Sequence, residues 1–485
     1  MQAPAASRTG PLEPWLWFLL AFGVYAACGA TVFYKTDGPD ILWLLHEGLP
    51  HPWHVGYLPL LKAWRWVIHL VGIEPSLMRL GTSFSALGAA VGVAGFAAGL
   101  RRLGLDAPRA RAAVLLLAAA PTALLFATCV EFHALLLGAT GVAFWWTTVM
   151  IARPSWWGMA LLGALTHVAF LMHFSGICLP AFLLSFFVAR RWADSAARGR
   201  TLALGAVAGV VHVVLWYALP RLFVAFYGVH SDLAAAFAKE ASIGRPQSLD
   251  WTPVIFAQEW LWPVLPLSVT CWLGATRRGL RLEFAAFVLG FLPFLYLCVR
   301  QLVFEPENGA YLLPLVPAAA LLTVQALPLR VAASLALVAV LGAPFVVRCE
   351  QTGWDDPAEY ARVIAGYDGA AAGRPYVVLL GTHREMSIGY ARLAPWTGAA
   401  PRRDFLYVRQ MATMPRTLYT EAMRRGSVEG LRRVIDAGGA VLTTAATRAF
   451  LRDPESVMRA EKLLADIPRN DEMTGPLLSA DLERA

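Results

Sequence analysis

The feature that most restricts this chain is the recurrence of apolar runs long enough to cross a bilayer, which takes roughly 20 residues of helix. Such windows fall near 15–34, 80–100, 111–129, 133–152, 156–172, 174–189, 202–221, 252–274, 282–299, 310–328 and 331–347. They give about eleven candidate spans, and a run of this length in lipid must satisfy its own backbone, so it folds as a helix. Hydrophobic residues make up 58% of the 485 positions and charged ones 15%. That balance excludes an ordinary soluble domain.

Arginine placement orients the spans. Arg8, then Arg101, Arg102, Arg109 and Arg111, then Arg153, then Arg190, Arg191, Arg198 and Arg200, then Arg277, Arg278 and Arg281, then Arg330 fall on alternate loops. Basic residues in short loops favour the cytoplasmic side, so the N-terminus is expected inside and an odd span number leaves the C-terminus outside. The net charge of +8 then reads as topology and lipid contact, with no nucleic-acid partner expected. The run Trp15–Tyr34 lacks a small-residue cleavage site before a soluble chain and reads as a retained first span. The six cysteines fall singly, without a disulfide framework or paired zinc spacing.

Composition changes near residue 348. Strand-like runs at Pro375–Leu380, Asp404–Val408 and Ala440–Thr443 alternate with helical patterns at Arg416–Ile435 and Pro454–Ile467. The expectation is an α-helical polytopic membrane domain over 1–347, with a first external loop at 35–79, and a small α/β domain over 348–485 on the extracytoplasmic side. Gly381-Thr382-His383-Arg384-Glu385 follows a strand, but a single glycine does not make a phosphate loop.

The first external loop carries the strongest chemical signal. Asp37 and Asp40 stand just after the first apolar run, with His46, His51 and His54 close behind. Acids in Asp-Gly-Pro are also ordinary turn chemistry, so the signal lies in their setting at the water–lipid boundary. From Tyr57 to Val71, Leu60, Leu61, Trp64, Val67, Ile68 and Val71 recur at helical spacing, while Lys62, Arg65 and His69 gather on another face. This describes a helix lying in the interface plane, whose basic stripe either holds a lipid phosphate or snorkels to headgroups.

Further ionisable residues sit at the outer mouths of apolar runs: Glu131 and His133, His173, Glu259, then Arg300, Glu305 and Glu307 with Asn308 before Tyr311. Such groups at membrane depth are costly, which makes them functional candidates. His167 and His212 lie inside spans and read as core histidines bonded to a neighbouring helix.

A span, an acidic pair, then Leu-x-x-His-Pro and an interfacial helix resembles the start of the GT-C superfamily of integral-membrane glycosyltransferases, within it the protein O-mannosyltransferase-like branch. The residues are Asp37-Gly38-Pro39-Asp40 and Gly48-Leu49-Pro50-His51-Pro52-Trp53. Glu307-Asn308-Gly309-Ala310-Tyr311-Leu312-Leu313-Pro314-Leu315-Val316-Pro317 is similar to the superfamily's Arg-Tyr-x-Leu-Pro-x-x-Pro segment. Trp53-His54 stand where the branch has Pro-Gly, and Ala310 where the superfamily segment has Arg, which leaves Arg300 or Lys62 as the substitute cation.

The resemblance implies transfer of a sugar from a polyprenyl-phosphate carrier to a protein or glycan acceptor at the extracytoplasmic face, in a bacterial inner membrane. It gives Asp37 the role of base in an inverting displacement, and Asp40 that of its orienter or of a cation ligand. Lys62, Arg65 and Arg300 would bind the donor phosphate, and His51, His54, Glu131, His133, Glu307 and Tyr311 would line the substrate site. A divalent cation between the two acids is open, since close carboxylates can hold one. The rival classes are a transporter or flippase using the same polar groups, and a scaffold displaying the C-terminal domain. Transporters commonly show paired repeats with broken helices, and no such self-similarity is visible.

The arginine pattern makes a direct prediction. A reporter active only in the cytoplasm, fused after Ala485, should stay silent; a strong signal would overturn the orientation.

Overall fold

The computed structural model describes residues 10–34, 38, 41–42, 44–45, 54–227, 265–297, 308–351, 357–380, 403–407, 432 and 434–443. These belong to two compact units, one of 1–30, 50–222 and 233–353, the other of 31–49, 223–232 and 354–485.

The first unit is helical. Its described elements are α1 Glu13–Ala27, α2 Tyr57–Leu70, α3 Leu77–Arg102, α4 Ala107–Ala118, α5 Pro121–Thr128, α6 His133–Ala152, α7 Trp156–Met172 and α8 Cys178–Arg191. There follow α9 Arg198–Tyr227, α10 Leu265–Arg278, α11 Arg281–Leu297, α12 Asn308–Tyr311, α13 Val316–Ala326 and α14 Leu329–Gln351. Among the described residues four helices are long and apolar enough to cross a membrane, Leu77–Arg102, His133–Ala152, Phe174–Arg191 and Ser195–Leu219, with the α4–α5 pair as a bent fifth.

Several expected windows are not single helices, and prolines explain where they break. The window 111–129 bends by 56° between α4 and α5. Pro121 opens α5 and brings no N–H with which to continue α4. The window 310–328 divides into α12, a 3-10 turn at Leu313–Leu315 and α13, with Pro314 and Pro317 each in the first turn of the piece they open. The first helix stops at Ala27, short of the expected Tyr34, and the Ala30 N–H instead donates to the Thr128 carbonyl at 2.7 Å.

Small residues fix the central contact, between α3 and α6. Gly88, Gly92, Gly95 and Gly99 recur on one face of α3. A Cβ built on Gly92 would lie 2.5 Å from the Leu137 carbonyl oxygen, and one on Gly95 2.6 Å from the Gly141 backbone. Where lipid outside is as apolar as the interior, helices associate through close packing of this kind.

α2 has three faces. Tyr57, Leu58, Leu61 and Ile68 are buried, Leu60, Trp66, Val67, Leu70 and Val71 are exposed, and Lys62, Arg65 and His69 are also exposed. The expected single apolar stripe is therefore divided between protein and surroundings. Trp64 anchors the helix, donating its indole N–H to Ser83 on α3 at 3.1 Å and meeting Phe22 of α1 edge to face. Gly72, at φ 75°, closes α2 in the left-handed conformation that favours glycine, while the Ile73 N–H returns to the Ile68 carbonyl.

The second unit holds α15 Pro357–Ala371 and a parallel sheet of β1 Tyr376–Leu380, β2 Arg403–Tyr407 and β3 Ala440–Thr443 in the order β2-β1-β3. Tyr376 pairs with Arg403 on one side and Ala440 on the other. Tyr376, Val377, Val378 and Leu379 of the central strand are all buried, as befits a parallel strand covered on both faces. The Tyr376 hydroxyl donates to Asp368 at 2.9 Å. Phe33, Tyr34, Ile41, Leu42, Leu44 and Leu45, in the segment that joins this unit, are buried too. Most of Arg416–Ile435, all of Pro454–Ile467 and all of Gly381–Glu385 lie outside the described residues.

The α3–α6 contact makes a prediction. Gly95→Leu should lower stability by about 1–3 kcal/mol or more through overpacking, read as earlier thermal unfolding in detergent, whereas Gly342→Leu, at a position with open space around it, should not.

Candidate functional site

Three interruptions in the helical unit bring His54, Glu131, His133 and His173 to one place. In the turn before α2, the Gly56 N–H reaches the Leu171 carbonyl at 3.3 Å and the Tyr57 N–H the His54 carbonyl at 3.0 Å, which sets His54 against the end of α7. The α5–α6 loop carries Glu131 and Phe132, and His133 opens α6. At the end of α7, His173 turns extended, at φ −158° and ψ 143°, and begins the 3-10 turn Phe174–Ile177. Tyr311 ends α12 beside them.

The rings are close. His133 and His173 have centroids 4.4 Å apart, and His54 and His173 stack at 5.0 Å with 14° between planes. Tyr311 lies 5.0 Å from His173 and 5.9 Å from His133. Phe132 covers His54 at 3.8 Å, Phe126 covers His133 at 4.6 Å, and Tyr57 meets Phe132 edge to face at 4.8 Å. Glu131 is 0% exposed, His133 1%, and His173 and Tyr311 3% each.

A carboxylate buried this deeply needs donors. Oε2 of Glu131 accepts the Phe132 N–H at 2.9 Å and lies 3.2 Å from Nδ1 of His133. The Phe132 N–H thus donates to the carboxyl group, and its contact with His133 is a buried carboxyl–imidazole pair. His173 is held from the other side, because the Ser175 backbone N–H can only donate and its acceptor at 3.2 Å is Nδ1 of His173. The Ser175 hydroxyl is 2.9 Å from the same nitrogen. Burial, and after it the charge of Glu131, pushes the Tyr57 hydroxyl well above the ordinary tyrosine range, so it stays protonated.

Of the residues singled out from sequence, His54, Glu131, His133 and Tyr311 come together, with His173. Lys62 and Arg65 lie exposed on α2, where Arg65 approaches His69 at 3.4 Å between Nε and Nε2. Asp37, Asp40, His51, Arg300 and Glu307 lie outside the described residues. Tyr57, Phe126, Phe132, Phe174 and Ser175 belong to the cluster although sequence reasoning passed over them, since an aromatic in an apolar run carries no signal of its own. Among the described residues no group of three or more His, Cys, Asp and Glu side chains is placed to hold a metal ion. Deeper in the helices, His212 meets Thr166 of α7 at 3.1 Å, which ties two helices together.

No protein-family signature and no curated protein matches the sequence. In structure the chain is similar to the crystal structure of ArnT from Cupriavidus metallidurans bound to undecaprenyl phosphate, with a TM-score of 0.51 over 78% of this chain and 85% of that one, at 16% sequence identity. The protein is thus a mostly helical integral membrane protein with an ArnT-like fold.

The ring cluster should be a structural keystone as well. Tyr311→Ala removes the ring that packs on His133, His173 and Phe174, and should cost about 3–5 kcal/mol, measured as a lower midpoint of thermal unfolding in detergent.

Proposed function

We propose that this protein is a GT-C glycosyltransferase that moves a sugar from a polyprenyl-phosphate carrier to a protein or glycan acceptor at the extracytoplasmic face, in the manner of the protein O-mannosyltransferase-like branch. The observation that carries the reading is an ArnT-like fold in which polar residues from separate span mouths meet in one buried cluster. That the similar structure holds undecaprenyl phosphate supports a lipid-linked donor. The reading includes about eleven spans, an inside N-terminus and an outer C-terminal α/β domain.

Asp37 serves in this reading as the base. It takes the acceptor proton as the acceptor attacks the anomeric carbon, and the lipid phosphate leaves from the opposite face with the bonding electron pair. Asp40 orients it or shares a cation with it. Lys62, Arg65 and Arg300 balance charge on the leaving phosphate. The exposed basic stripe of α2, flanked by an exposed apolar face, suits an anionic headgroup approached within the membrane plane. His51, His54, Glu131, His133, Glu307 and Tyr311 belong to the substrate site.

Purified protein given a panel of polyprenyl-phosphate sugars and acceptors should release free polyprenyl phosphate only when acceptor is present. Asp37→Asn should lower that release by about 10²-fold or more with donor binding retained. Near-normal turnover in the variant would remove Asp37 from the chemistry. Vesicles that move an intact solute, with no release of carrier phosphate, would point to a transporter instead.

A further inference from the structure

We propose that the helical unit holds an anionic phospholipid of the surrounding bilayer at the end where α6 and α8 finish and α7 and α9 begin. Its phosphate lies among Arg153, Arg191 and Arg198, and an acyl chain runs along Trp157, Leu161 and Leu202. This end is the far one from the ring cluster, since His133 opens α6 and His173 follows α7, which puts about 25–30 Å of helix between the two places. The assignment goes beyond the transferase reading and does not depend on it.

Two hydrogen bonds gather guanidinium groups from three helix ends. Arg191, the last residue of α8, donates from Nη1 to the Ile151 carbonyl at 2.8 Å, and Arg153 ends α6 two residues beyond Ile151. Trp192 follows Arg191, and Arg198, the first residue of α9, donates from Nε to the Trp192 carbonyl at 3.0 Å while lying over its ring at 5.0 Å. Held in this way, Arg198 keeps its two Nη groups for an anion, in the planar fork that suits phosphate. Arg190 takes no part, because it is turned to Glu283 of α11 at 3.3 Å and to Gln325 of α13 at 3.2 Å. Asp194 is the only acid in the sequence from 150 to 205, so positive charge is in surplus here.

The packing of α7 on α9 sets the apolar part at the right height. A Cβ on Gly163 would meet the Ala208 carbonyl, Thr166 contacts His212 at 3.1 Å, and Phe170 stacks on Trp216 at 4.4 Å. These pairs rise together in number, so the two helices run parallel, with an offset of about 45 residues. The same register brings Arg198 level with Arg153 and Leu202 level with Trp157. Trp157 is 87% exposed and Leu202 50%, and Leu161, one turn beyond Trp157 on the same side of α7, is exposed as well.

Clustered cations next to exposed apolar side chains match a ligand in which an anion and a hydrocarbon chain are covalently joined. Orientation in the membrane asks only for basic residues on one side. It does not ask that arginines from three helix ends be tied together through a neighbouring carbonyl and an indole ring. A plain belt of arginine and tryptophan at the interface would hold every lipid alike, and that is the alternative the test separates.

The test uses full-length protein in detergent and native mass spectrometry, with dioleoylphosphatidylglycerol as the anionic probe and dioleoylphosphatidylcholine as its neutral counterpart with the same chains. Phosphatidylglycerol should bind saturably, and phosphatidylcholine should not displace it. Arg153→Gln combined with Arg198→Gln should weaken that binding about 10-fold or more, at about fivefold for each cation near a headgroup. Arg79→Gln combined with Arg330→Gln removes the same charge from exposed positions on other helices and should change it less than about twofold. Should the first pair fail to fold, Arg153→Glu alone, at an exposed side chain, should weaken binding about 10-fold. Equal weakening by the two pairs, or binding unmoved by Arg153→Glu, would assign the effect to overall charge and overturn the site. Equal retention of both lipids would leave only an interfacial belt, and displacement by millimolar inorganic phosphate would make it a site for a free anion; either result overturns the proposal. Sugar transfer enters none of these readings, so loss of the transferase reading would leave the lipid site standing, and the reverse.

Discussion

The close approach of α3 to α6 is the contact on which the rest of the helical unit depends. With glycines at four positions of one α3 face, the backbones meet where any side chain would hold them apart. The consequence reaches the site, because α6 begins at His133, and its position on α3 sets where that ring stands. Ser85 of α3 lies 3.5 Å from the Glu131 carbonyl, one turn above the glycine Gly88. Close packing of α3 on α6, with the Ser85 hydroxyl donating to the Glu131 carbonyl, thus positions the loop that carries Glu131.

Long helices and broken ones divide the work. α3, α6 and α9 run unbroken and supply rigidity, since each satisfies its own backbone through the lipid. The interruptions gather at the other kind of element: the Pro121 bend, the His173 turn, and the Pro314 and Pro317 breaks all fall where a helix hands over to the cluster. Non-helical backbone at such depth is tolerated only where protein or a wet cavity covers it. Here aromatic rings cover it, and the freed polar groups find side-chain partners, as Ser175 does with His173.

The helices were legible because twenty apolar residues in lipid have few alternatives, and every expected window overlaps at least one described helix. Their ends were less so. Proline at 121 and 317 announces a break only once its neighbours' burial is known, for proline in a first helical turn is equally a start signal. The glycine register on α3 is visible in sequence, but a glycine there reads the same whether it faces a helix or lipid. In the site, His54, Glu131, His133 and Tyr311 stood out because ionisable or hydrogen-bonding groups at a span mouth are costly to bury. That three histidines from distant segments would stack could not be read, since their meeting depends on the three-dimensional course of α2, α6 and α7. Asp37 and Asp40, the strongest signal in the sequence, lie outside the described residues, so their role rests on chemistry and resemblance.

The amphipathic helix α2 is held in the unit at two places. One of its faces is committed to α1 and α3 through Trp64, and its first residue, Tyr57, packs on Phe132 within the cluster. Its opposite faces, apolar and basic, remain exposed. A helix seated in this way cannot shift without disturbing the turn that carries His54, because the Gly56 N–H is bonded to the last turn of α7 and a Cβ at Gly56 would collide with Met172. The exposed stripe of Lys62, Arg65 and His69 therefore stands on the helix whose N-terminal end packs into the ring stack. Under the transferase reading, a headgroup held at that stripe would sit on the same fourteen-residue helix whose first residue, Tyr57, packs in the ring cluster.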